Sequence, residues 1–458
     1  MSEANRYTQV LIAQYLKQNG FEDTLSNFLR ESSLPLTSVR SKLQDLHLED
    51  LETIVGDRIQ FGDNAITGSL NGLVLNDALP AIDEGKYGIG SWNHISKFVK
   101  AGASVTDGLA ISTKFDKFGN IMFSMSNKRI QVYDSNLQYK QDFKPVAEYK
   151  SISKYCGPIG DSDYYYSCSI DGTLSIYDKT FAVLPKCDAK VHEKMITHIV
   201  FIKISSTSYY VVSSGLENIL KITLLTFKDG SVTFEELSNC KLLSACTSCQ
   251  VGIQKFGRNN DSTSRPFIFV TRAQFTHVLC YTLSAENKLY LHCNIALNIA
   301  QFSTYSFEVR DMVLMNLKSP ECSSILSENS VLVVATSHVP YLRLIIVELP
   351  MALLEGEGIG KGCATSYGGV LKDMATTIPQ NSFSQPILKF IPNCNGFIIG
   401  GDQAIYGIDI SSGDSWELAL SGYTNMQRIK AIDVNLNTSQ IVVGAANKMI
   451  YSWKVRNE

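Results

Sequence analysis

Hydrophobic positions along this chain follow two different rhythms. In Asn5–Glu31 (NRYTQVLIAQYLKQNGFEDTLSNFLRE), Val10, Leu11, Ala13, Tyr15 and Leu16 fall at helical intervals, Asn19-Gly20 interrupts them, and Phe21, Leu25, Phe28 and Leu29 resume the pattern. This spacing predicts two short helices. Gly20 stands where a left-handed C-cap residue belongs, and Glu22 with Asp23 puts favourable negative charge in the first turn of the second helix. A unit below about 40 residues usually needs a metal, disulfides or a partner to cover its apolar stripe. Here a partner is expected.

Beyond a polar connection containing Pro35, the residues Leu43, Leu46, Leu48, Leu51, Ile54, Val55 and Ile59 keep helical spacing, predicting a third helix over 48–60. Residues 63–90 are rich in Gly, Asn and Asp and have no sustained period, the texture of a linker. From about Trp92 to the C-terminus the second rhythm takes over: short β-branched and aromatic runs punctuated by Gly, Asn, Asp and Ser. The runs recur. SVTDGLAISTKFDKFGNIMFSMSNKRIQVYD, YYYSCSIDGTLSIYD and IKAIDVNLNTSQIVVGAANKMIYSWKV each read as strand, polar turn, strand ending in small residues, tight turn, and strand closing on an aromatic.

Seven such units can be marked, at 103–137, 148–184, 192–227, 240–284, 289–349, 383–418 and 422–455. At roughly 40 to 50 residues per unit this is the arithmetic of a propeller with four strands per blade. Ring closure then requires one strand from the N-terminal side, and 91–102 (SWNHISKFVKAG) is placed to supply it. Small residues on second strands, as in FSMSN, SCSID, VVSSGLEN and VVGAANK, are expected to relieve crowding near the propeller axis.

Two resemblances follow from these residues. Ile12, Tyr15-Leu16, Gly20-Phe21, Thr24, Phe28 and Glu31 match the intervals of the LisH (lissencephaly homology) motif at eight positions. LisH segments are homodimerisation modules, so the resemblance implies a dimer with Leu11, Ile12, Tyr15, Leu16, Phe21, Leu25, Phe28 and Leu29 at its interface, and it implies no chemistry. The repeating units resemble degraded WD repeats. Tyr133-Asp134 and Tyr177-Asp178 stand where that family's Trp-Asp dipeptide ends the third strand, and Trp453-Lys454 takes the same place without the Asp. Asp171-Gly172 supplies a turn before a third strand, where positive φ is favoured, and His192 opens a unit as the family's Gly-His element does. The expected fold is an all-β seven-bladed WD-repeat β-propeller with a small N-terminal all-α LisH module: 1–38 LisH motif, 39–62 additional helix, 63–90 linker, 91–458 propeller.

Composition narrows the function. The 458 residues are 45% hydrophobic and 19% charged, and 41 basic against 44 acidic residues leave a net charge of -3, which argues against a dedicated nucleic-acid binder. MSEANR has no basic region followed by an apolar run, so no secretory signal is read. The most apolar stretch, 331–354, is interrupted by His338, Pro340, Arg343, Glu348 and Pro350 and reads as two buried strands rather than a membrane span. Eleven cysteines scattered through strand-like text are the usage of buried reduced thiols, which places the protein in cytoplasm or nucleus.

No motif recommends catalysis. Cys246 and Cys249, with Cys240 upstream, form one pair where a structural zinc needs two pairs or two added histidines. The glycine-rich 356–369 leaves three residues, not four, before Gly360-Lys361 and lacks the following hydroxyl of a phosphate-binding loop. His94, His198 and His338 are isolated structural histidines, and Lys128-Arg129, Arg428 and Lys430 are solvated turn residues. No cofactor or metal is expected, and no enzyme.

The resemblance therefore implies a homodimeric scaffold or adaptor presenting propeller surfaces to protein partners, with no membrane role and with nucleic acid disfavoured as a partner. Proteins of this architecture include chromatin corepressor subunits, dynein regulators and ubiquitin-ligase receptors. The absence of a long coiled coil argues against the dynein type. The absence of an Arg after Tyr133-Asp134 and Tyr177-Asp178, and of a long helical segment behind the LisH motif, weakens the ligase type. The alternative is an RNA-binding propeller subunit of a ribosome-assembly complex.

Overall fold

The computed structural model describes residues 3–34, 51, 55, 91–92, 96–143, 151–228, 230–256, 263–297, 307–316, 325–327, 329–350, 364–420 and 428–457. The expected third helix lies outside them apart from Leu51 and Val55, both helical, and the 63–90 linker lies outside them entirely.

The chain divides into two compact units. The first contains α1 (Glu3–Gln18) and α2 (Glu22–Ser32). Gly20 adopts φ +73°, which lets the Phe21 N–H reach back to the Leu16 carbonyl at 2.9 Å and ends α1 as its sequence indicates. Glu22 and Asp23 lie in the first turn of α2, where the helix dipole favours them. At the far end Ser33 turns left-handed, with φ +54°, and the Leu34 N–H closes on the Leu29 carbonyl.

The second unit is a seven-bladed β-propeller of antiparallel meanders; six of its sheets have four strands and that of the fourth blade has five. Blade 1 spans 110–142, blade 2 153–190, blade 3 196–241, blade 4 246–296, blade 5 309–379 and blade 6 387–417. Blade 7 has three strands from 429–457, and its fourth is Ser96–Val105 from the other end of the ring. That strand runs antiparallel to Met449–Asn457, with Ser96 opposite Asn457 and Val105 opposite Met449. Ring closure is thus made by backbone hydrogen bonds between distant parts of the chain, by a strand that starts five residues and ends three residues further along than the sequence suggests.

Several unit boundaries differ from the sequence reading for one reason. Fourth strands lie outermost, one face toward solvent, and carry little apolar signal: Tyr139–Asp142 has no buried residue, and Ser231–Lys241 is mostly exposed or half-buried. Leu289–Ala296 accordingly does not open a unit; it closes blade 4 by pairing with His277–Leu283. The fourth strand of blade 5 is Val370–Pro379. The apolar stretch around Val331 is indeed two strands, Ser330–Thr336 and Tyr341–Glu348.

First strands, not second strands, line the axis. Each first strand is hydrogen-bonded to the first strand of a neighbouring blade through side chains. Ser248 Oγ of blade 4 donates to Asp311 Oδ1 of blade 5 at 3.2 Å, and Leu388 N of blade 6 donates to Asp311 Oδ2 at 2.9 Å. Asp433 of blade 7 accepts from Phe115 N of blade 1 at 3.1 Å and holds both Lys389 of blade 6 and Lys114 of blade 1 at 3.4 Å. Tyr155 OH of blade 2 donates to the Thr197 carbonyl of blade 3 at 2.6 Å. The small second-strand residues sit one layer out, where the second strand of one blade meets the first strand of the next: Ser124 Oγ donates to the Ser153 carbonyl, and a Cβ at Gly444 would come within 2.4 Å of the Ala110 Cβ.

The closing strand has one position with no room. Gly102 lies at its register shift, and a Cβ there would stand 2.2 Å from the Asn136 backbone carbonyl oxygen. Gly102→Val is expected to lower the free energy of unfolding by about 1–3 kcal/mol, the usual penalty of an overpacked site, read as a lower urea midpoint. An unchanged midpoint would show that the closing strand is not held in this register.

Candidate interaction surfaces

In the helical unit the apolar residues of α2 are incompletely covered. None of its residues is fully buried; Leu25, Phe28 and Leu29 are half-buried, and Phe21 ahead of them is 50% exposed. On α1, Ile12, Tyr15 and Leu16 are likewise half-buried, while Val10, Leu11 and Ala13 are buried. Leu11 is therefore covered without a second copy. The uncovered stripe consists of Ile12, Tyr15, Leu16, Phe21, Leu25, Phe28 and Leu29.

The repeat positions of the ring serve its architecture. Asp134 Oδ1 accepts the N–H groups of Asn136 and Gln138 at 2.8 and 2.9 Å, and Asp178 Oδ1 accepts those of Thr180 and Ala182 at 2.7 and 3.0 Å. Both carboxylates fix the turn from third to fourth strand. Trp453 is fully buried and stacked on Tyr451 at 5.6 Å. It lies mid-strand rather than at a strand end, because this third strand continues to Asn457 to pair with the closing strand.

Asp171, Gly172 and His192 meet at the junction of blades 2 and 3. Asp171 Oδ1 accepts from Ser169 Oγ at 2.6 Å and Thr173 N at 3.1 Å, shaping a turn in which Gly172 has φ +90°. The Gly172 carbonyl takes the Val191 and His192 N–H groups, and a Cβ on Gly172 would lie 2.0 Å from the His192 carbonyl oxygen. His192, 1% exposed, bridges Glu217 Oε1 at 2.6 Å and Ser213 Oγ at 2.9 Å. Burial pushes its imidazole pKa down against the pull of Glu217. Glu217 is held below the usual carboxylate range by a backbone N–H and His192, against the opposing effect of burial. A neutral imidazole donating from Nδ1 and accepting from Ser213 satisfies both contacts.

The remaining candidates are structural. Cys246 and Cys249 are buried, with burial pushing the Cys246 thiol up to about 12 and Cys249 well above its ordinary value, and Cys240 is pushed up to about 12. Such thiols are neither nucleophiles nor ready metal ligands, and no His/Cys/Asp/Glu cluster able to hold a metal occurs among the described residues. Burial pushes His198 down to about 3 and His338 to about 4. His94 and residues 356–363 lie outside the described residues. No helix among the described residues is long and apolar enough to cross a membrane.

Both unit types recur in one protein family. Its profiles match this chain twice, as the UCP007778 LisH domain over residues 6–40 and as the UCP007778 β-propeller domain over residues 73–454. The chain belongs to the UCP007778 family. It is similar to the Saccharomyces cerevisiae protein named "Uncharacterized protein YGR117C", with 38% identity over 470 residues covering 99% of this chain and 98% of that protein. Within the family's architecture, LisH domain and propeller are both generally protein-interaction modules.

Sequence reasoning passed over two aspartates of the ring, half-buried Asp311 and buried Asp433. Their signal is a lone carboxylate in apolar strand text (VRDMVLMN and IKAIDVN). It also missed the exposed Phe383, which nothing in NSFSQ distinguishes.

The histidines make acid stability testable. His198, His277 and His338 have folded-state pKa values of about 3, about 4 and about 4, and His192 is also lowered, all below the ordinary 6.5. The unfolded chain therefore binds their protons first: stability is complete above about pH 6.5 and is lost as pH falls toward 4. The urea midpoint is expected to drop steadily from pH 7 to pH 4. His192→Ala, which strands Glu217, is expected to cost about 1–3 kcal/mol at pH 7. A midpoint flat between pH 7 and 5 would contradict the neutral state of these rings in the folded protein.

Proposed function

We propose that this protein is a non-enzymatic scaffold that dimerises through its LisH hairpin and uses two WD-repeat-type propellers to assemble protein partners, in the manner of corepressor or ubiquitin-ligase receptor subunits, in the cytoplasm or nucleus. The observation that carries the reading is the helical stripe left open in a single chain, with α2 burying none of its residues fully. A second copy docked on Ile12, Leu16, Leu25 and Phe28 removes this surface from water. At about 25 cal/mol per Å² of apolar area, that burial is the main favourable term. The His192–Ser213–Glu217 contact at a blade junction supports kinship with WD repeats, and the buried, raised thiols fit a reducing compartment.

A dimeric ring gains avidity. Once one propeller engages an assembly, the second meets its site at an effective concentration set by the connecting chain, so weak contacts sum to firm capture. Stiff blades with short loops suit presentation rather than turnover, and the ionisable groups described are committed to holding turns and blade junctions.

Leu16→Glu combined with Phe28→Glu is expected to give a folded monomer in sedimentation velocity, with the propeller's urea midpoint unchanged and capture of bivalent assemblies weakened by a factor of about 10² or more. Wild-type protein sedimenting as a monomer would defeat the proposal.

A further inference from the structure

The two faces of the ring are not equivalent. One is formed by the turns between second and third strands and by the connections between blades. On this face, six of the seven first strands carry a register shift at the same place, leaving one extra residue at the inner rim: Ile111, Lys154, Thr197, Thr247, Arg310 and Lys430. A bulge re-aims a side chain at the end of a strand. Three of the six are cations and none is acidic.

The balance of paired charge on this face favours an anionic partner. Its carboxylates are largely committed: Asp107 to Arg129, Glu217 to His192, Glu308 to Arg310, and Asp402 to Arg428. Four lysines are not so matched. Lys154 has only the Thr197 carbonyl at 3.4 Å and the Tyr155 ring as partners, while Lys194, Lys430 and Lys448 are exposed and have no carboxylate within ion-pair distance among the described residues. Glu193, exposed beside Lys194, offsets one of them.

Outside this rim stands an apolar collar. Val105, Ile170, Leu216, Val339, Tyr341 and Phe383 are large, exposed and all on this face. Phe383, 81% exposed, is fixed in place: Arg428 Nη2 donates to its carbonyl at 2.6 Å, its N–H donates to Asn381 Oδ1 at 2.8 Å, and Arg310 Nη2 donates to the neighbouring Ser382 carbonyl at 3.0 Å. Gln380 donates to the His338 carbonyl and its N–H to the Pro340 carbonyl, tying this loop to the turn that bears Val339 and Tyr341. A loop whose backbone carbonyls are held by two guanidiniums loses little entropy when a partner covers its aromatic ring.

We propose that this face binds an extended acidic peptide segment of a partner protein, its carboxylates over the Lys154–Lys430 rim and its apolar side chains on the Phe383–Tyr341 collar. The proposal rests on the scaffold reading and names the partner's chemistry. It requires no step of covalent chemistry.

The test is selection from a displayed library of random twelve-residue peptides against the full-length protein, followed by affinity measurement of the enriched peptides as fluorescein conjugates. Enrichment of sequences combining Asp or Glu with Leu, Phe or Trp is expected. Lys154→Met with Lys430→Glu should weaken their binding at least about tenfold, added salt should weaken it further, and Phe383→Ser should weaken it with little change in salt dependence. Lys448→Glu, at an exposed turn, is a second charge variant should the double variant misfold. Enrichment of basic or uncharged sequences, no enrichment, affinity indifferent to both charge variants, or displacement of the peptides by a single-stranded RNA probe that binds more tightly would each overturn the proposal. Sedimentation of the same variants separates the two readings, because the dimer should persist in all of them.

Discussion

Closure of the ring by Ser96–Val105 against Met449–Asn457 is the interaction on which the rest depends. Seven wedge-shaped blades pack side by side, and each buries its faces only if both neighbours are present. Without the closing strand, blade 7 exposes the edge of Met449–Asn457, and the first-to-last blade interface keeps only side-chain contacts such as those of Asp433 with Lys114 and Phe115. Antiparallel pairing between segments so far apart in sequence carries a large loop-closure cost that only the whole ring repays. The steric demand at Gly102 follows from this, since the strand must pass directly over the Asn136 carbonyl to reach its register.

A second tier of order lies at the axis. Asp311 and Asp433 each reach across to first strands of neighbouring blades, and Asp433 stays ionised although buried because Lys114 and Lys389 flank it. Asp311, with backbone and hydroxyl donors but no ion pair at contact distance, has its carboxyl pushed up by burial. Hydrophobic packing between blades is tolerant of small slips, whereas a carboxylate that must meet a specific N–H is not. These contacts set the rotational register of adjacent blades and thereby the height at which the rim residues stand.

The sequence was most informative where burial is two-sided. Second and third strands such as Ile121–Met125 and Ile130–Tyr133 are buried throughout and announce themselves as apolar runs, and seven recurrences of that signal sufficed for the blade count. Fourth strands have one dry face at most, so Tyr139–Asp142 left no mark and Leu289–Ala296 was credited to the wrong blade. The expectation that small second-strand residues crowd the axis located a real constraint in the wrong layer: Gly444 is kept small by Ala110 of the adjoining blade. Register shifts are invisible in the sequence because an extra residue changes pairing without changing composition. The rim they create had no sequence signature.

The strand that locks the ring precedes every blade in the order of synthesis, while its partner, Met449–Asn457, follows all of them. Translation is slow compared with local hairpin formation, so six blades can form as meanders on the ribosome while the seventh waits for its missing edge. Throughout that interval the N-terminal helices are already made. Under the dimerisation proposed above, two nascent chains on one messenger would be clasped together before either ring is shut, which would make pairing a product of co-translation rather than of later encounter.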